Sequence, residues 1–95
     1  VTVDSDRLAL SARVGRLSDR FGREADAWRD PDLVLVCRLA QITLTRAELP
    51  ILRRLDLDLD AITAAVVRLE RRAGVLEGHR RLINTLTRSR PKPRP

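Results

Sequence analysis

Leu33-Val34-Leu35-Val36-Cys37-Arg38-Leu39-Ala40-Gln41-Ile42-Thr43-Leu44 is the stretch whose conformation decides the fold. Its β-branched content suits a strand, but on a strand Arg38 and Gln41 fall on opposite faces. On a helix Arg38, Gln41, Thr45 and Glu48 line up in one narrow polar stripe, and everything else is apolar. The segment therefore reads as a helix buried on most sides, the central element of the fold or of a dimer. It spans about a dozen residues and is interrupted by Arg38, short of the ~18–20 apolar residues that cross a bilayer.

Asp30-Pro31-Asp32 opens this helix: Asp30 is the N-cap, Pro31 fits the first helical position, and Asp32 favours the positive end of the dipole. Upstream, Leu10, Val14, Leu17, Phe21 and Trp28 step by four, three, four and seven, the period of an amphipathic helix over Asp4 to Arg29 capped by Asp4 or Ser5. Gly15 and Gly22 cost it about 1 kcal/mol each relative to Ala and mark points of close helix approach.

Downstream, Thr45 and Glu48 have capping-box spacing, and Pro50 removes a helical hydrogen bond. A third helix or a kink is expected to start there, the segment from Thr45 to Leu55 being short and bent at its start. Leu55 to Asp60 alternates leucine with aspartate, an extended connection with its leucines inward, and Asp58 or Asp60 caps the next helix. Leu59, Ile62, Val66, Leu69, Ala73 and Leu76 then step by three and four like a bundle seam. Continued past Gly74 and Gly78, that helix would put Arg80 on the seam and Leu82 and Leu86 outside. A break is expected there, with a final helix from His79 to Thr87 burying Leu82, Ile83 and Leu86.

The expected architecture is thus all-α: a small bundle of about four helices forming one domain over residues 1–87. A basic, Pro-rich and disordered tail is expected over residues 88–95. The chain of 95 residues is too apolar for a disordered protein, at 43% hydrophobic. It is also small enough to gain burial from a second copy.

The formal charge of +6 is unevenly placed. Residues 1–60 hold 10 Arg against 11 Asp and Glu, while residues 61–95 hold nine Arg and Lys against two Glu. Arg68, Arg71 and Arg72 on the outer helix face, with Arg88, Arg90, Lys92 and Arg94 in the tail, are the candidate contacts for an anionic partner, DNA phosphates included. With one Phe, one Trp and no Tyr, the chain lacks the ring platforms on which single-strand binders stack bases.

Catalytic chemistry is poorly supplied. The chain has one His and one Cys, no phosphate-cradling Gly-rich loop and no nucleophile elbow, so it reads as non-enzymatic, without cofactor or metal. His79 reads as a surface helix residue and Cys37 as a small buried hydrophobe. Asp56-x-Asp58-x-Asp60 has the opening of a calcium loop, but Ala61 and Val67 stand where that loop needs Gly and Glu. A lone Cys fits a reducing cytoplasm, and Val1-Thr2-Val3-Asp4 has neither the basic nor the apolar region of a secretory signal.

Leu44-Thr45-x-x-Glu48-Leu49-x-Ile51-Leu52-x-x-Leu55, followed by Leu59 to Arg72, resembles the helix-turn-helix unit of bacterial transcription regulators over about thirty residues. The resemblance implies a DNA-binding regulator using residues 44–72. Asp56 stands where the turn usually has glycine. The base-facing positions would be Asp58, Asp60, Thr63, Ala64 and Val67, whose two carboxylates phosphates would repel. The leading expectation is therefore a helical interaction or assembly module that pairs as a homodimer or with another protein. Leu35, Val36, Leu39, Ile62, Val66 and Leu69 are expected at the oligomer interface.

Overall fold

A computed structural model describes the backbone of residues 2–89 and the side chains of residues 5–87. Three helices account for nearly all of it: α1 (Thr2–Ala27), α2 (Pro31–Arg53) and α3 (Leu59–Ser89). Among the described residues there is no strand.

The helix boundaries obey local chemistry at two places. The Asp30 side chain caps α2 by accepting from the Asp32 backbone N–H at 2.9 Å, with Pro31 behind it. Asp58 caps α3 by accepting from the N–H groups of Asp60 and Ala61, both at 3.1 Å. α1 begins at Thr2, ahead of both expected caps.

The expected third helix is not separate. α2 continues through Pro50 to Arg53, and Thr45 makes no capping box; its hydroxyl donates to the Gln41 carbonyl one turn back. Arg7 closes the far end of α2: its buried guanidinium donates to the carbonyls of Ile51 (3.0 Å) and Arg54 (2.5 Å), where the helix leaves acceptors unpaired. In the connection between α2 and α3, Leu57 is half-buried but Leu55 is exposed, so its leucines are only partly inward.

α1, not α2, is the central helix. Both other helices pack along it, and they scarcely touch each other. Arg7 meets the end of α2, while Asp26 pairs with Arg38 near its start, so the two run antiparallel. Arg13 pairs with Glu70 and Arg20 with Glu77, at the same offset of 57 residues, so α1 and α3 run parallel. The core is one α1 series, Leu10, Val14, Leu17, Phe21 and Ala25, against Cys37, Leu44 and Ile51 of α2 and Val66 and Ala73 of α3.

The break expected near Gly78 is absent, and α3 runs unbroken two residues into the expected tail. Residues 90–95 lie outside the described residues. Arg80 does land on the apolar seam, and the conflict is resolved across the interface. Glu24 occupies the matching position on α1, 2% exposed, and receives both arms of the Arg80 guanidinium at 2.9 and 2.8 Å. A bidentate pair satisfies both charges where either alone would be stranded. Leu82, Ile83 and Leu86 consequently stay exposed.

Arg13–Glu70 and Arg20–Glu77, each 2.6 Å at the closest, complete a ladder of forked pairs along the α1–α3 seam. The arginine hydrogen bonds hold the Glu70 and Glu77 carboxyls below the usual range.

Glu24→Ala strands Arg80 and is expected to cost about 2–3 kcal/mol, less than a fully buried break because Arg80 regains water. Glu24→Leu with Arg80→Leu is expected to recover most of that loss in denaturant titrations. Gly78 has nothing within 4 Å of an added Cβ and no positive φ. Gly78→Ala should therefore raise stability by about 1 kcal/mol, whereas a helix broken there would lose stability. Because the Glu70 and Glu77 pKa values are depressed, their contribution is present above the unfolded carboxylate range and is lost as pH falls through the folded values. Melting temperature should drop below about pH 4, and less steeply in Glu70→Gln with Glu77→Gln.

Candidate interaction surface

The orientation of α2 about its own axis is the feature from which a surface arises. Ser11, Gly15, Ser18 and Gly22 step by four, three and four along α1 and form a stripe without bulk. A helix laid on that stripe approaches closely, and the side chains of Glu48 and Gln41 take the space over Gly15 and Gly22. α2 sets its polar stripe there. The Ser18 hydroxyl lies 3.2 Å from the Gln41 carbonyl and 2.7 Å from the Thr45 hydroxyl, and Ser11 donates to the Glu48 carbonyl at 3.4 Å. Arg38 donates to the Gln41 amide oxygen at 2.9 Å and pairs with Asp26. A Cβ added at Gly22 would lie 2.7 Å from the Gln41 amide nitrogen.

With the polar stripe turned toward α1, the apolar side of α2 faces outward. Leu35, Val36, Leu39 and Ile42 are 47–58% exposed, and Leu49 and Leu52 are exposed beyond them. Only Cys37, Leu44 and Ile51 of this helix are buried. The expectation of a helix buried on most sides is thus not met within one chain.

α3 adds Val75, Leu82, Ile83 and Leu86, each half-exposed or more. Between α2 and α3 lies an apolar groove with Phe21 at its floor, Val36, Ala40, Val75 and Leu76 on its walls, and Arg72 at its rim.

The expected interface residues divide. Leu35, Val36 and Leu39 are on this surface, whereas Val66 is 3% exposed inside the protomer and Ile62 and Leu69 are half-buried against its core. Sequence reasoning missed Ile42, Leu49 and Leu52. For Ile42 and Leu49 the signal was their phase, which extends the outer arc that Leu35 and Leu39 begin; Leu52 shares the phase of Gln41 and Thr45 and lies beside Leu8 of α1. Val75, Leu82 and Leu86 were legible as an outer series that steps by seven and four once α3 is taken as unbroken.

Arg68, Arg71 and Arg72 are exposed and make no ion pair among the described residues, unlike Arg13, Arg20 and Arg80. The side chains of Arg88, Arg90, Lys92 and Arg94 lie outside the described residues. Residues 44–53 and 59–72 belong to α2 and α3, which each pack along α1 and scarcely touch each other. Of the base-facing positions of a helix-turn-helix unit, Asp58 caps α3 and the Thr63 hydroxyl is bonded to the Leu59 carbonyl.

Among the described residues no cluster of three or more His, Cys, Asp or Glu is arranged to hold a metal ion. Asp56 is instead paired with Arg54, which holds its carboxyl below the usual range. Cys37 is fully buried, and burial pushes its thiol up, away from the reactive thiolate. No helix among the described residues is long and apolar enough to cross a membrane. No protein family, curated protein or solved structure matches the chain.

Proposed function

We propose that this chain is a non-enzymatic helical assembly module that associates with a second copy through the outer face of α2. Arg68, Arg71 and Arg72 are left to meet an anionic partner. The observation that carries the reading is the row of half-exposed apolar side chains on α2, Leu35, Val36, Leu39 and Ile42. Summed with the exposed Val75, Leu82, Ile83 and Leu86 of α3, on the order of 700 Å² of apolar surface is left in water, comparable to the ~800 Å² a standard interface takes from each partner. Transferring that area out of water is the main favourable contribution to association. The anionic partner is supported by the three arginines' lack of any carboxylate partner among the described residues.

Sedimentation analysis is expected to show a concentration-dependent dimer. Leu39→Asp places a carboxylate in that face and should give a monomer of unchanged helicity. A wild-type chain that stays monomeric and binds no hydrophobic dye would overturn the reading. For the basic face, random duplex DNA serves as the polyanion. Replacing Arg68, Arg71 and Arg72 together by Gln should weaken binding and shallow the slope of log affinity against log salt by up to about 2.7. An unchanged slope would show the three arginines to be merely solvated.

A further inference from the structure

On the side of α2 away from α1, Asp32, Leu35, Leu39, Ile42 and Arg46 form a second series stepping by three, four, three and four. Leu35, Leu39 and Ile42 are 58%, 56% and 47% exposed. Asp32 and Arg46 are exposed as well, and neither side chain has an ion-pair or hydrogen-bond partner among the described residues. From N- to C-terminus the series reads acid, apolar, apolar, apolar, base. Turned end to end it is complementary to itself.

We propose that two copies pair through this series, α2 lying antiparallel on α2 of the second copy about a twofold axis at Leu39. The proposal rests on the self-association reading above and adds its orientation and register. A twofold interface requires that if residue i meets residue j, then j meets i. Antiparallel pairing centred on Leu39 meets this condition. Leu39 packs on its own counterpart, Leu35 of each copy packs on Ile42 of the other, and Asp32 of each copy faces Arg46 of the other. Steps of three and four keep all of these on one stripe, as in a coiled-coil seam.

Parallel pairing would instead set Asp32 against Asp32 and Arg46 against Arg46, an arrangement that like charges oppose. α3 offers no such match. Its outward series is basic at Arg68 and Arg72 and apolar only from Val75 onward, so turning it end to end lays arginine on leucine. The stripe spans about four helical turns, which places the contact at the small end of specific interfaces and the dissociation constant in the micromolar range or weaker.

The test uses the full chain with Cys37→Ala, so that an introduced thiol is the only one. Leu39→Cys is expected to form an intermolecular disulfide on mild oxidation. Leu49→Cys, exposed on the same helix but remote from the axis, is expected not to. Leu35→Cys and Ile42→Cys should cross-link when mixed. In sedimentation equilibrium without oxidation, Asp32→Arg or Arg46→Asp alone should weaken dimerisation roughly tenfold, since each change turns two attractive pairs into repulsive ones. The double variant should restore it. That rescue separates pairing from helix stability, because reversing both charges worsens the match to the α2 dipole. A dimer without the Leu39 cross-link and without charge-swap rescue would overturn this register while leaving self-association standing. A chain that stays monomeric at hundreds of micromolar would overturn both.

Discussion

The close approach of α1 and α2 governs the rest of the molecule. Ser11, Gly15, Ser18 and Gly22 give α1 a flank with almost no side-chain volume, and the polar stripe of α2 lies along it. Beside it Cys37, Leu44 and Ile51 bury their apolar side chains against α1. The stripe itself gains from backbone proximity and from part-buried side-chain hydrogen bonds. Its consequence is geometric: with the polar stripe and the adjoining Cys37, Leu44 and Ile51 committed to α1, the arc of α2 opposite has no partner among the described residues, and that arc is mostly leucine, isoleucine and valine. The exposed apolar face is the other side of this packing choice.

The α1–α3 seam is built differently. Apolar seam residues are flanked by forked Arg–Glu pairs, and at one level the pair replaces the apolar contact itself. Glu24 and Arg80 hold little advantage over a pair of well-packed leucines in free energy. They do fix where α3 sits along α1, because a shift of one helical turn would leave both charges in the seam unsatisfied. The same ladder sorts the arginines. Arg13, Arg20 and Arg80 are neutralised by carboxylates, whereas Arg68, Arg71 and Arg72 on the outer face have no such partner among the described residues. Three of the unpaired arginines of α3 therefore share one surface, while Arg81 lies on another flank.

The all-helical class, the cap at Asp30 and the core series Leu10, Val14, Leu17 and Phe21 were legible in the sequence, because each depends on neighbours within one or two turns. The seam from Leu59 to Leu76 was legible for the same reason. The sequence alone left undecided every choice between two faces or two chains. Leu33 to Leu44 is apolar nearly all round, so its pattern does not say which side meets α1; the small residues of α1, far away in sequence, decide that. Gly74, Gly78 and Arg80 locally favour ending a helix, and only Glu24, 56 residues away, makes its continuation acceptable. Local periodicity determines which segments are helices and which residues share a face. The tertiary structure decides which face is spent on the core and which is left exposed, since the group that satisfies a buried charge or fills a groove lies on another helix.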